Sequence, residues 1–446
     1  MEQKKVYVNT FGCQQNEADS ETLMGIAGEL GFIPTDKIEE ADLILFNTCA
    51  VREHAELKAL STTGQLKHLK EKNRALKIGL CGCMVQQTHR MEDIKNKYPY
   101  VDFVMGTNMI PRFREILNQV LRSKKRLFFV EDFDVNPGKI CEGLPVTRRY
   151  PYKALVSVMY GCNNFCTYCV VPYVRGRERS REPEKIIEEV KTLVENGCKE
   201  ITLLGQNVNS YGKDLATPYP FAKLLRTLSD IKGDFVLKFM TSHPKDATRE
   251  LIDTMAESEH CERHFHLPLQ AGSDTILNKM NRRYTTDTYF ALVDYMRKKI
   301  PGIAITTDII VGFPGETEED FEKTLFALER CRFDGVFSFV YSPRKGTPAA
   351  KMEDQVPDKV AKERMARLLA LQTKIQTEKN QMLVGKEVRA LCEGESKSDP
   401  DFLSARTDAG KLVHFKKPEG KDLTGNFVTL KITEARAIML LGEVVL

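Results

Sequence analysis

Gly161-Cys162-Asn163-Asn164-Phe165-Cys166-Thr167-Tyr168-Cys169 places three cysteines in the spacing C-x3-C-x2-C, directly after an apolar run from Ala154 to Met159. A loop this short can wrap three thiolates around one inorganic centre. Zinc asks for a fourth protein ligand, usually from a second C-x2-C or a His pair, and none follows at that distance. Three thiolates on a cubane 4Fe–4S cluster leave one iron without a protein ligand, open to chelation by a small molecule. A structural zinc loop, or chance clustering in a chain with 12 cysteines, are the competing readings.

For this spacing the small molecule is S-adenosylmethionine (SAM), with the protein fixing geometry and the cofactor carrying radical chemistry. The chain here resembles the radical SAM superfamily. Through Gly161 to Cys169 and the following Val170-Val171-Pro172-Tyr173-Val174-Arg175-Gly176-Arg177 it is similar to the methylthiotransferase family, in particular the branch acting on N6-isopentenyladenosine in tRNA.

The bulk properties are those of a multi-domain globular protein. A chain of 446 residues exceeds one ordinary core. Its 42% hydrophobic and 29% charged residues are those of a folded soluble protein. The formal charge of +4 neither requires nor excludes a nucleic-acid partner. No apolar run is long enough to span a membrane, and Met1 to Lys5 shows no signal-peptide core. The expectation is a cytoplasmic protein whose cysteines serve metal or redox chemistry rather than disulfides.

Residues 1 to about 125 alternate strand and helix. Val6 to Asn9, Asp42 to Phe46, Lys77 to Leu80 and Val101 to Met105 read as strands. Asn16 to Leu30, Glu53 to Leu69 and the stretch after Pro111 read as helices. This order predicts an open parallel α/β sheet. Cys13, Cys49 and the pair Cys81 and Cys83 follow or end its first three strands. Open sheets bind ligands beyond the carboxyl ends of their strands, so one thiolate from each strand end would meet at a point and suit a second three-thiolate cluster. Ordinary buried cysteine is the alternative. The resemblance implies an auxiliary cluster here, held by Cys13, Cys49 and Cys83, with Cys81 as an extra. Gly12 and Gly82 would allow close backbone approach. The stretch to Arg149, with Asn136-Pro137-Gly138, Gly143 and Pro145, reads as a linker.

Beyond it, six strand candidates separated by helices predict a partial (βα)6 TIM-like barrel: Ala154 to Met159, Glu200 to Leu204, Phe235 to Met240, His264 to Leu269, Ile303 to Val311 and Gly335 to Tyr341. Active groups of such barrels lie at the carboxyl ends of the strands, where the cysteine triad falls. The resemblance implies SAM contacts from Tyr168 near adenine, from Gln206 and Asn207 to the methionine part, and from Gln270 and Ser273 after the fourth strand; a turn with a helix cap explains any one of these alone. Arg175, Arg177, Arg179 and Arg181 alternate, and in an extended segment would share one face suited to phosphates.

After a long charged helix, Pro357 to Met382, five short strand signals predict a small antiparallel β-barrel. It resembles the TRAM domain, an RNA-binding module. From Gln381 to Leu446 ten basic residues balance ten acidic ones, so any RNA contact needs a local patch, with Lys411, Lys416, Lys417 and Lys421 as candidates. The expected division is 4–122 for the N-terminal domain, 148–378 for the radical SAM core and 381–446 for the TRAM-like domain.

The resemblance implies radical methylthiolation of carbon 2 of the adenine, one SAM supplying the radical and a second the methyl group. It implies two 4Fe–4S clusters, tRNA as substrate, a flavodoxin-type electron donor and a sulfur source. Methylthiolation of threonylcarbamoyladenosine or of a ribosomal-protein aspartate is the alternative within the class. A non-catalytic iron–sulfur carrier that binds RNA is the alternative outside it.

Overall fold

The computed structural model describes residues 3–51, 53–133 and 136–445; Met1, Glu2, Arg52, Asp134 and Val135 of the linker, and Leu446 lie outside it. The first unit is a six-stranded parallel sheet of β1 (Lys5–Thr10), β2 (Ile33–Pro34), β3 (Leu43–Thr48), β4 (Lys77–Gly82), β5 (Phe103–Met105) and β6 (Leu127–Phe129). Their order is β2-β1-β3-β4-β5-β6. Every residue of β3 is buried, as expected of a parallel strand covered on both faces. One face buries Ile44, Phe46, Ile78 and Leu80, and the other Leu43, Leu45, Phe103 and Met105.

The expected strands and helices form, with two differences. The helix from Glu53 breaks into Glu53–Gln65 and Lys67–Lys72. Leu127–Phe129 joins the sheet as its edge strand beside β5, although the flanking basic and turn residues read as a connector.

The barrel strands are β7 (Lys153–Ser157), with the small antiparallel pair β8 (Met159–Tyr160) and β9 (Arg179–Ser180) at its mouth, then β10 (Glu200–Leu204), β11 (Val236–Phe239), β12 (His264–His266), β13 (Ala304–Val311) and β14 (Gly335–Val340). They pair in parallel as β11-β10-β7 and β12-β13-β14. A single bridge, Leu237 to Cys261, joins the halves. The largest apolar core lies between these strands and their helices, from Val156 and Leu203 to Phe265 and Leu328.

The helix Asp358–Gln381 leads to a closed barrel of β15 (Glu387–Glu395), β16 (Phe402–Thr407), β17 (Leu412–Lys416), β18 (Phe427–Ala435) and β19 (Leu440–Val444). One pair, β17 with β19, is parallel, because the last strand closes the ring between β17 and β18. This barrel docks beneath the core: Asp334 pairs with Lys379 at 2.5 Å and Lys411 at 3.2 Å. Lys411 is thereby spent on the interface and leaves the expected basic patch; Lys417 pairs with Glu395 at 2.8 Å.

Candidate iron–sulfur and SAM site

In the first sheet the strand order turns at the junction of β1 and β3, the crevice where open α/β sheets take ligands. Cys13 follows β1, Cys49 follows β3, and Cys83 follows β4. Gly12 lets the first two loops touch: its φ is +143°, and a Cβ there would lie 2.7 Å from Cys49 Cβ. Burial pushes the Cys83 thiol up to about 12, opposed by the Arg175 guanidinium and reinforced by its neighbours Cys49 and Cys13. The three expected thiols therefore share one neighbourhood.

Cys81 does not join them. It lies within β4, packs in the apolar layer with Leu23, Leu45 and Met105, and its Sγ donates to Phe46 O at 3.6 Å. Gly82, at φ +95°, fits against Asn47 and Thr48, where a Cβ would come within 2.4 Å of their oxygens. It makes the turn that carries the chain from Cys81 in the core to Cys83 at the strand end.

In the barrel, Cys162 and Cys166 are buried and Cys169 half-buried. Burial pushes the Cys162 thiol up to about 11, raised further by Glu178 and Cys166, and Cys169 up to about 12, raised further by Cys166 and Cys162. Loading with iron must therefore expel protons. Gly161, at φ +79°, starts the loop, and a Cβ there would sit 2.0 Å from Arg177 O. Asn281 Nδ2 donates to Asn164 O at 3.2 Å and Phe165 O at 3.0 Å, holding the loop from behind. The Val51 and Val171 amides donate to the sulfurs of Cys49 and Cys169 at 3.3 and 3.4 Å, contacts that favour thiolates. Among the described residues no group of three His, Cys, Asp or Glu side chains is gathered to hold a single metal ion. A cubane is held otherwise, each thiolate taking a different iron, and the six thiols in two trios fit that donor set.

A cavity of about 550 Å³ lies between the first domain and the barrel mouth, and Cys169 is the one triad thiol on its lining. Val51, in the loop after Cys49, and His54, in the first turn of the helix Glu53–Gln65, form one wall; Tyr168, Cys169, Gln270, Asp308 and Tyr341 form the other. The Tyr341 hydroxyl is buried with no hydrogen-bond partner among the described residues. Tyr168 packs edge-on against Phe313, with centroids 6.4 Å apart. Gln270 holds φ +74°, an uncommon conformation for a non-glycine residue at a strand end.

The other expected SAM contacts lie elsewhere. Gln206 accepts from the Gly161 amide and donates to Gln15 Oε1 at 3.4 Å, so it braces the triad loop against the first domain. Asn207 donates to Asp246 at 2.7 Å and keeps Oδ1 buried and unpartnered. Both amide atoms of Asn209 and the Ser242 hydroxyl are also buried without partners among the described residues, beside a strained Thr241 at φ +65°. These orphaned groups at the ends of β10 and β11 suit the carboxylate and ammonium of a methionyl group. Ser273 is committed to Asp320, to which its hydroxyl donates at 2.5 Å; it does not line the cavity.

Sequence reading passed over Arg282 and gave Arg175 a different role, in a phosphate-binding row. Arg175 Nε lies 3.1 Å from Cys83 Sγ, and Nη2 pairs with Asp19 at 2.7 Å and Asn16 at 2.8 Å. Burial opposes its charge, but Asp19 and the Cys83 and Cys13 thiolates hold the guanidinium well above its usual range. Arg282 Nη1 lies 3.4 Å from Cys166 Sγ. The arginine row does not form one phosphate-binding face. Arg175 ends the short helix Val171–Arg175 and is buried, Arg181 is buried on Glu142 and Glu189, and Arg179 bonds Gly138 O at 3.0 Å. Only Arg177 is exposed, over the Phe165 ring at 4.3 Å.

A partial barrel with an open three-cysteine loop after its first strand defines a radical SAM enzyme, and the chain matches the Radical SAM superfamily over residues 156–328. It also matches the uncharacterized protein family UPF0004 over 5–106 and the TRAM domain over 381–445. The chain belongs to the tRNA-2-methylthio-N(6)-dimethylallyladenosine synthase family. It is 51% identical to the enzyme of that name from Alkaliphilus oremlandii, covering 99% of this chain and 93% of the relative. It is 49% identical to that of Clostridioides difficile, covering 99% and 92%. Among solved structures, the radical SAM methyltransferase TsrM from Kitasatospora setae superposes with a TM-score of 0.56 at 14% identity, over 78% of this chain and 75% of that one, a likeness of fold alone.

Proposed function

We infer that this chain methylthiolates carbon 2 of N6-(dimethylallyl)adenosine beside the tRNA anticodon, giving the 2-methylthio derivative. The observation that carries the reading is the cavity between the two domains, walled on one side by Val51 and His54, which follow Cys49 in the chain, and on the other by Tyr168 and Cys169. Cys162, Cys166 and Cys169 would hold the cluster that binds SAM, and Cys13, Cys49 and Cys83 the auxiliary cluster. When bound, the clusters and SAM supply one-electron reductive cleavage and a sulfur donor, chemistry able to functionalise an aromatic C–H bond.

The chain's own residues arrange that chemistry. Gln206, Gly161 and Asn281 fix the triad loop. Gln15, donating to Ser157 Oγ at 2.7 Å, and Thr107, donating to Val174 O at 2.8 Å, hold the two domains with their strand ends facing. Closeness of both donors to one base is what a two-centre reaction requires. Tyr168, Phe313 and Tyr341 form an aromatic wall suited to an unstacked adenine. The β15–β19 barrel would hold tRNA. A flavodoxin-type reductant and a separate sulfur source complete the proposed partners. No helix among the described residues is long and apolar enough to cross a membrane.

The test is anaerobic reconstitution with iron and sulfide, then incubation with SAM, reductant and tRNA carrying isopentenyladenosine, read by nucleoside mass spectrometry. A gain of methylthio mass on that nucleoside is expected. The same gain on threonylcarbamoyladenosine alone would move the substrate to the alternative. No 5′-deoxyadenosine at all would leave a cluster carrier.

A further inference from the structure

Each trio of thiols has one buried guanidinium against it, and the two are compensated differently. Arg175 is neutralised within the protein by Asp19, both side chains being 5% exposed. Arg282 is 8% exposed, and its partners are Cys166 Sγ, the Tyr284 hydroxyl at 3.0 Å and Pro268 O at 3.1 Å. Among the described residues no carboxylate pairs with it. A full charge buried without a counter-charge is costly, and the negative group that would compensate it is a thiolate-ligated cluster on Cys166.

This bears on which cluster takes an electron. Reduction adds one negative charge, and a neighbouring positive charge or hydrogen-bond donor stabilises the reduced form and raises the potential. A neutral Arg–Asp pair does so far less than a lone arginine. Resting on the two-cluster reading above, we propose that Arg282 is the counter-charge of the cluster on Cys162, Cys166 and Cys169, while Asp19 cancels Arg175 at the second cluster. The first electron from a one-electron reductant then goes to the SAM-binding cluster rather than to the sulfur-bearing one. Both arginines are positioning residues.

The experiment is an EPR-monitored redox titration of the reconstituted full chain, following each cluster separately. Arg282→Met should lower the reduced-to-oxidised ratio of the triad cluster at least tenfold at a fixed potential, which is about 59 mV for one electron, and leave the other cluster unmoved. Arg282→Lys should restore most of the loss. Asp19→Asn, nearly isosteric, should raise the midpoint of the second cluster and leave the first unmoved, so it carries the test if the methionine variant does not fold. Two loaded clusters with unmoved midpoints, or equal shifts in both from either variant, would overturn the charge assignment alone. Wild-type protein that took up only one cluster would overturn the two-cluster reading, and the iron count separates that failure from the other.

Discussion

Replacing Cys83 and Cys81 one at a time should have opposite consequences. They are two residues apart, yet one stands at a strand end beside Cys49 and Cys13 and the other lies in the apolar layer. With the Cys83 thiol pushed up to about 12 by burial, ionising it at neutral pH costs on the order of 7 kcal/mol without metal. Without metal the thiol therefore stays protonated, and metal–thiolate bonding would offset that cost. Cys83→Ala should lower iron from about eight to about four atoms per reconstituted chain. It should not disturb folding greatly, since Arg175 keeps Asp19 and Asn16. Cys81→Ala removes a 2%-exposed sulfur from the core and should lower stability by about 1 kcal/mol while iron stays near eight. The assays are iron and acid-labile sulfide per chain after anaerobic reconstitution, with urea unfolding of the metal-free proteins. Loss of four irons from the Cys81 variant, or full retention by the Cys83 variant, would refute the assignment.

Three other perturbations follow from the same geometry. Gly161→Ala would put a Cβ against Arg177 O at φ +79°; a strain of about 1–3 kcal/mol should cost the triad cluster while sparing the other, visible as half the iron. Burial, aided by Arg282, lowers His243 from its ordinary 6.5 to about 2. The unfolded chain therefore binds the extra proton first, so stability is full above 6.5 and falls with acidification, by about 1 kcal/mol between pH 6.5 and 5.5. His243→Gln should flatten that slope in thermal melts. Tyr341→Phe removes a buried hydroxyl with no partner, so the melting temperature of the free protein should hold or rise, whereas the KM for SAM or tRNA should increase if the hydroxyl meets a ligand in the cavity; unchanged KM for both would remove Tyr341 from the site.

The sequence by itself determined the three units and the cysteines at their strand ends. Apolar periodicity and cysteine spacing are local properties, and β3, β10 and the triad loop are written in consecutive residues. It could not separate Cys81 from Cys83, because that depends on where β4 ends and on a turn at Gly82. It misjudged the arginine row for the same reason: alternation predicts a shared face only if the segment stays extended, and here a one-turn helix buries Arg175 in another domain. The placement of Ser273 on Asp320, of Lys411 on Asp334 and of Arg282 on Cys166 joins residues 47, 77 and 116 positions apart. Such pairings are set by packing of distant segments, as is the cavity between Val51 and Cys169, and only the tertiary structure decides them.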